Sequence, residues 1–211
     1  MQTLVINTHP TPGNKEHFSQ KLLDMFLEKY DGRFDRKDLE ILNLYAANVP
    51  RLDANMLSMW EAQASGREMT AKELEIEAAQ KQLLQQFKRN HRIVIAAPTH
   101  NFMITSAMKD YMDNILIARE TFRYTQTGSE GLMNDDYKML LLVASGSIYT
   151  NNDRYTPLEM QHYYVKEMFT NIMAFNAFDI VRAQGTATLP AAQVLDSAKE
   201  QLDRAFVSFY Q

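Results

Sequence analysis

The sequence predicts an α/β fold in which helices cover both faces of a parallel β-sheet. Short apolar runs rich in Val, Ile and Leu alternate along the chain with amphipathic helical periods, which is the order of a doubly wound sheet with right-handed crossovers. Apolar residues make up 45% of the 211 residues and charged residues 23%, the balance of a globular chain that can bury a full core. Because no Pro/Gly/Ser-rich linker interrupts this pattern, we expect residues 1–211 to form a single domain.

Five apolar runs predict the strands of the sheet: residues 2–8, 38–44, 91–98, 138–145 and 179–186. The first, third and fourth runs are nearly continuous in apolar residues, as expected for strands buried between two layers of helices. The second run alternates between apolar and polar residues, so we place it nearer an edge of the sheet. A five-stranded sheet of this kind has the flavodoxin-like strand order 2-1-3-4-5.

Amphipathic periods predict the helices between these strands. In the first two, apolar residues recur every three or four positions: Phe18, Leu22, Phe26 and Tyr30, then Ile76, Leu83, Leu84 and Phe87. A Thr-x-x-Glu pattern predicts capping boxes at Thr70–Glu73 and Thr156–Glu159, and Pro157 and Pro190 are expected at first helical positions. Residues 46–69 form an insertion with an exposed tip, and this insertion carries the single Trp.

Composition excludes several classes of function. The net charge is −4 with no block of like charges, so a nucleic-acid partner is not expected. The chain has no Cys, and its five His residues show neither HxxxH nor HExxH spacing, so we expect no disulfide, no thiolate nucleophile and no metal site. The start of the chain matches neither a secretory signal nor a membrane span, which predicts a cytoplasmic protein without a membrane partner.

Ligands of doubly wound sheets bind at the carboxyl ends of the strands, and three stretches fall there. The first, THPTPGNKEHFSQ, ends in His17, Phe18 and Ser19 at a helix start, where free backbone N–H groups favour a phosphate. A plain connecting loop in which Ser19 or a neighbour caps the helix is an equally weighted alternative. Neither GxGxxG nor the GxxxxGK[ST] P-loop occurs, so a dinucleotide domain and an ATP site lack support.

The second stretch, PTHNF, follows the third strand and offers flat side chains, an amide and backbone groups suited to a planar heterocycle. His100 has no Ser, Cys or carboxylate nearby in sequence, which disfavours a nucleophilic hydrolase, and a single loop histidine is more often a surface residue. The third stretch, ASGSIY, is a small-residue turn in which Gly146 could adopt a positive φ and let the backbone approach a ligand. An ordinary exit from the strand explains it equally well.

Read together, these stretches resemble the FMN-dependent NADH azoreductases and, more loosely, the NAD(P)H quinone reductases of the flavodoxin-like class. The similarity covers nearly the whole chain. Its most specific part is PTHNFMITSAMKDYMDNILIARETFRYTQTGSEGL, residues 98–132. This part resembles the P-M-Y/W-N-F/L segment of the family, followed by a Lys-containing helix, T-F-x-Y-T and a G-x-x-G/P-L turn.

The resemblance implies an FMN site with no catalytic side chain, because the flavin carries the chemistry. The implied cofactor-binding residues are His9, His17, Phe18, Ser19, Pro98, Thr99, His100, Asn101, Phe102, Ala144, Ser145, Gly146 and Ser147. Phe122 and Tyr124 are candidates to line the acceptor pocket. The chain departs from the family at His17, where a serine is common, at His100, where Tyr or Trp is usual, and at Ser147, which replaces the second glycine of S-x-G-G.

The implied function is transfer of two electrons from NADH or NADPH, through FMN, to a quinone or azo compound by a ping-pong mechanism. FMN is expected rather than FAD because no second phosphate-binding fingerprint is present. The resemblance also implies a homodimer, and we expect its interface to include the helix around Met108, Tyr111 and Met112. The alternatives are an FMN-binding protein without turnover and a hydrolase of the acyl-carrier-protein phosphodiesterase type.

Overall fold

A computed structural model describes residues 2–211 and contains seven strands. They are β1 (Thr3–Asn7), β2 (Leu39–Asn43), β3 (Arg92–Pro98), β4 (Phe122–Thr125), β5 (Gly128–Gly131), β6 (Lys138–Ser145) and β7 (Ala177–Gln184). Five of them form a parallel sheet in the order β2-β1-β3-β6-β7. Counted along the chain, this is the predicted order 2-1-3-4-5, and the second run lies at an edge as expected.

Six α-helices accompany the strands: α1 (Phe18–Asp31), α2 (Ala54–Ser65), α3 (Ala71–Arg89), α4 (Ser106–Ile115), α5 (Met160–Glu167) and α6 (Ala191–Tyr210). The strands β4 and β5 pair as a separate antiparallel hairpin that the sequence pattern did not predict. Met168–Ile172 continues α5 as a π-helix.

Two apolar layers enclose the sheet, because neighbouring side chains on a strand point to opposite faces. On β3, Ile93 and Ile95 pack into a cluster with side chains of α3, α4 and α5. Val94 and Ala96 pack on the other face against α1 and α6. The predicted helices on both faces are therefore present, and all four of these strand side chains have no exposed surface.

One of the two predicted capping boxes is present in the structure. Thr70 and Glu73 form the reciprocal box at the start of α3. The box predicted at Thr156–Glu159 is wrong: Thr156–Leu158 is a 3₁₀ turn with Pro157 in it, and α5 begins only at Met160. The Glu159 carboxylate instead accepts hydrogen bonds from Arg182 of β7. Pro190 lies at the N-cap of α6, one position before the expected one.

The insertion at residues 46–69 is largely helical. Met56 and Met59 on α2 are fully buried and form a small separate cluster with Ile76 of α3. Trp60 is partly buried, and its Nε1 donates a hydrogen bond to Oε1 of Gln80 at 3.3 Å. The insertion therefore packs onto α3 and does not form a free loop.

The predicted interface residues on α4 are in the core. Met108, Tyr111 and Met112 have no exposed surface within the single chain. They belong to the apolar cluster that covers one face of the sheet. The expectation that these side chains form an intermolecular contact is therefore wrong. In residues 2–211, no helix combines the length and the apolar character that crossing a bilayer requires.

Candidate functional site

The loops after β1, β3 and β6 meet at the carboxyl edge of the sheet and form two adjoining depressions. Their volumes are about 520 Å³ and about 220 Å³, and four residues, His9, His17, Pro98 and Thr99, line both. The predicted residues that the structure brings together here are His9, His17, Phe18, Ser19, Pro98, Thr99, His100, Ala144, Ser145 and Gly146. Asn101, Phe102 and Ser147 lie in the same loops but do not line either depression.

The start of α1 offers free hydrogen-bond donors. His17 is its N-cap residue, and its side chain makes no capping bond. The amides of Phe18 and Ser19 have no acceptor within residues 2–211. Ser19 is 1% exposed, and its Oγ likewise has no partner there. The alternative interpretation of this loop, in which Ser19 or a neighbour caps the helix, is therefore wrong. A bound anion would satisfy these free donors.

A buried network of amides holds the loop before α1. Asn7 at the end of β1 and Gln20 in α1 are 2% and 3% exposed and exchange two side-chain hydrogen bonds of 2.9 Å. Gln20 Oε1 also accepts from the Gly13 amide at 2.9 Å, and Asn7 Oδ1 accepts from the His9 amide at 3.1 Å. Asn7 Nδ2 reaches Asn43 of β2 at 3.1 Å. The network fixes the loop relative to two strands.

Two histidine rings lie together beside this helix start. The ring centroids of His9 and His17 are 4.2 Å apart, and the ring planes are inclined by 33°. His9 Nδ1 accepts the Thr11 amide hydrogen at 3.0 Å, so a neutral His9 carries its proton on Nε2. Burial and the neighbouring His17 lower the pKa of His9. The His9 ring is thus held in one tautomer at the mouth of the site.

The turn after β3 has an unusual backbone. The Thr99 amide donates to the Ala144 carbonyl at 2.8 Å, which extends the β3–β6 ladder, and His100 and Met103 exchange two backbone bonds of 3.0 Å. Between them, Asn101 and Phe102 have φ values of +47° and +67°. Two successive non-glycine residues in the left-handed region store strain, and such strain is concentrated at functional sites.

The loop after β6 is held by a serine hydroxyl and by a backbone amide. Ser145 Oγ donates to the Ser147 carbonyl at 2.9 Å, and the Thr186 amide donates to the Ser145 carbonyl at 3.1 Å. Gly146 does not have a positive φ, and a Cβ on it would lie 3.5 Å from the Cβ of Ala187, an ordinary contact. The protein itself therefore does not require glycine at this position.

Several lining residues were not predicted: Pro10, Thr11, Glu16, Tyr45, Thr105, Ser106 and Thr186. Tyr45 follows β2 and Thr186 follows β7. Applying the carboxyl-end rule to the second and fifth predicted strands, as well as to the first, third and fourth, would have found both residues.

The predicted acceptor-pocket residues lie elsewhere in the chain. Phe122 and Tyr124 are on β4 and contact each other edge to face, with ring centroids 5.3 Å apart. Tyr124 is 77% exposed. Neither residue lines the two depressions of its own chain.

The site fits FMN on its own geometry. The start of α1, with two free amides and the buried Ser19 hydroxyl, provides donors for a terminal phosphate. The turn after β3 places Thr99 and His100 in the lining of the site, where they can contact a planar ring. Both lie at the same edge of the sheet and share lining residues.

Comparisons with known proteins identify the family and its relatives. The family model described as "Flavodoxin-like fold" matches residues 1–206. "FMN-dependent NADH:quinone oxidoreductase 1" of Lactiplantibacillus plantarum is 49% identical over 212 residues and is aligned over 99% of both chains. "FMN-dependent NADH:quinone oxidoreductase 1" of Bacillus anthracis is 46% identical over 97% of this chain and 93% of that protein. The crystal structure of an FMN-dependent NADH-azoreductase from Bacillus anthracis in complex with FMN superimposes with a TM-score of 0.95 at 44% identity, covering 100% of this chain and 99% of the other.

Proposed function

This chain belongs to the flavodoxin-like fold family, and we propose that it is an FMN-dependent oxidoreductase that passes two electrons from NADH or NADPH to a quinone or azo compound. The observation that carries the proposal is the start of α1, where two free amides and the orphaned Ser19 hydroxyl lie beside the strained turn after β3. The full-length relatives whose names specify FMN, NADH and a quinone support it.

In this function the protein binds and orients, and the cofactor supplies the redox chemistry. Bound FMN would take up two electrons from the nicotinamide and release them to the acceptor. The α1 amides and Ser19 would hold the phosphate, and the loop network around Asn7 and Gln20 would keep those donors in place. Thr99 and His100 of the turn after β3, and Ala144, Ser145 and Gly146 of the loop after β6, would contact the ring.

The test is the colour and redox behaviour of the purified protein. We expect a yellow protein whose heat-released cofactor has the mass of FMN, whose flavin absorbance bleaches with NADH, and whose colour returns with a quinone. A flavin that stays oxidised in the presence of both NADH and NADPH would favour the FMN-binding protein without turnover. Recovery of FAD, or of no flavin after reconstitution, would overturn the cofactor assignment.

We also propose that the protein is a homodimer, with a surface different from the one the sequence suggested. An apolar groove is lined by Met103, Met160, Tyr163, Tyr164, Glu167, Met168 and Ile172, and it adjoins the turn after β3 through Met103. Met160 and Tyr163 are 48% and 68% exposed, which is high for large apolar side chains in a free monomer. If Phe122 and Tyr124 line an acceptor pocket, it is that of the partner subunit.

Sedimentation of the FMN-loaded protein at low micromolar concentration tests the dimer. We expect a dimer, and we expect Tyr163→Glu to convert it to monomer because a buried charge would oppose association. Val207→Glu is the matched control, since Val207 is 45% exposed on α6, across the sheet. A fully active monomer of the unaltered protein would rule out the proposed assembly.

A single domain over residues 1–211 and a cytoplasmic location remain our predictions, checked by limited proteolysis and cell fractionation.

A further inference from the structure

The strained turn after β3 is closed by two backbone bonds between His100 and Met103, and it is also held by a residue outside itself. Asn101 and Phe102 both have left-handed φ values, and a bulky residue such as Phe102 adopts this conformation only when its surroundings enforce it. Phe102 is 40% exposed and Asn101 is exposed, so packing of their own side chains cannot supply that constraint. The constraint must come through backbone bonds and through the residues at the two ends of the turn.

Gln161, on the first turn of α5, contacts both ends of this turn. Its amide donates to the Phe102 carbonyl at 3.2 Å, and its side-chain Oε1 accepts from the Thr99 hydroxyl at 2.8 Å. Gln161 is 1% exposed, so its own atoms in these bonds are shielded from water. No acceptor for its Nε2 exists within residues 2–211.

The residues on either side of Gln161 are tied to the sheet. Arg182 on β7 donates from Nε and from a terminal nitrogen to the two carboxylate oxygens of Glu159, at 2.6 and 2.9 Å. His162 Nδ1 lies 3.2 Å from Glu159 and 3.2 Å from Arg182. Gln161 therefore transmits the position of β7 to the turn after β3 through a fixed helix start.

We infer that Gln161 is a positioning residue for the flavin: it clamps the Thr99–Phe102 turn in the strained conformation that places Thr99 and His100 in the lining of the site. The inference rests on the proposed FMN function but concerns a residue outside the depressions that form the site. Loss of the clamp should loosen the turn before cofactor is added, weaken FMN binding and shift the reduction potential of the bound flavin, because the partners of the ring edge would no longer be preorganised.

Three variants and one control test the clamp. Gln161→Met and Thr99→Val each remove one partner of the 2.8 Å side-chain bond, and the double variant closes a mutant cycle. Gln80→Met is the control, because Gln80 is also buried, at 6% exposure, accepts one hydrogen bond and has an unpartnered Nε2, but contacts Trp60 of the insertion. Amide hydrogen exchange of the cofactor-free protein, FMN titration and the flavin reduction potential are measured for each.

We expect Gln161→Met to accelerate exchange at residues 100–103 and to weaken FMN binding by roughly tenfold, the range of one hydrogen bond, together with a changed flavin potential. Thr99→Val should act in the same direction, and the double variant should be no worse than the stronger single one. Gln80→Met should lower thermal stability and leave the turn and the potential unchanged.

Gln161→Met with wild-type exchange and potential, or strictly additive effects in the cycle, would overturn the clamp. If Gln161→Met fails to fold, Thr99→Val alone decides, by hydrogen exchange at residues 100–103 of the cofactor-free protein, since Thr99 itself lines the site. An unaltered protein that binds no FMN would instead refute the proposed function itself.

Discussion

Ser19 carries a hydroxyl that folding buries without providing a partner. We expect Ser19→Ala to weaken FMN binding roughly five- to tenfold, because a hydrogen bond to an anion is lost, while the stability of the cofactor-free protein stays the same or rises slightly. Fluorescence titration of FMN and thermal unfolding measure the two quantities.

Ser208→Ala is the control, and we expect it to change stability but not FMN affinity. Its hydroxyl donates to Asp179 at 2.7 Å on the far side of the molecule from α1's start, so removing it should reduce stability and leave FMN affinity unchanged. Equal FMN affinities for Ser19→Ala and the unaltered protein would exclude Ser19 as a phosphate ligand.

His9 gives the cofactor-free protein a pH dependence whose sign is fixed. Folding lowers the pKa of this residue from its ordinary value of 6.5, chiefly through burial. The unfolded chain therefore binds the proton more tightly, so the stability from neutral His9 is present above about pH 6.5 and is lost as the pH falls through the lower folded pKa.

We expect the urea midpoint of the cofactor-free protein to fall between pH 7.5 and 5.5, and to fall less in His9→Gln, which keeps an acceptor for Thr11 but does not titrate. Urea titrations of both proteins across this range decide the matter. Parallel pH profiles would show that His9 is not the group responsible.

At the level of elements, the ion pair between Glu159 and Arg182 sets where α5 begins. Burial alone would raise the pKa of Glu159, but hydrogen bonds from His162 and Arg182 outweigh it and lower the pKa from 4.5 to about 2. The stabilisation is therefore complete above about pH 4.5 and is lost as the pH falls toward 2.

We expect Arg182→Met to destabilise the protein by about 1–3 kcal/mol at pH 7, since a mostly buried carboxylate loses its charged partner, and by less below pH 4. Both side chains of this pair are 17% exposed. Arg123→Met, which breaks a pair with Glu130 in which both side chains are more than half exposed, should cost less than about 1 kcal/mol. Chemical denaturation at the two pH values measures both costs, and equal costs for the two variants would contradict this account.

The elements that the sequence predicted are those whose signal is local. The strands β1, β3 and β6 are buried on both faces and read as continuous apolar runs, and the α3 capping box needs only Thr70 and Glu73. The false box at Thr156 failed because the Glu159 carboxylate finds Arg182, a residue 23 positions later that only the fold brings near. The β4–β5 hairpin was missed because each strand has only four residues and β5, Gly-Ser-Glu-Gly, carries no apolar side chain.

In the site, too, local patterns were predictable from the sequence and contacts that only the fold creates were not. Ten of its predicted residues line the depressions because the carboxyl-end rule depends only on strand order. Gln161 could not have been found, since its role depends on a contact across 62 positions with Thr99.

For the whole molecule, the arrangement of the sheet predicts the order of substrate binding. The chain has no dinucleotide fingerprint, and the candidate FMN site lies at one edge of one sheet. Nicotinamide and acceptor should therefore use the same pocket in turn, with reduced flavin holding the electrons between them.

Initial velocities against NADH at several fixed quinone concentrations test this order. We expect parallel double-reciprocal lines. Lines that intersect would show that both substrates bind together, and a separate nicotinamide site would then have to be sought.

The position of Trp60 gives the molecule a built-in optical reporter. As the single tryptophan, it lies in the small α2–α3 cluster and not in either of the two large apolar layers. Its emission therefore reports whether the insertion is docked, whereas the flavin absorbance reports on the carboxyl edge of the sheet. Measuring both signals during unfolding of one sample shows whether the insertion detaches before the cofactor site unfolds, or whether the whole chain unfolds as one cooperative unit.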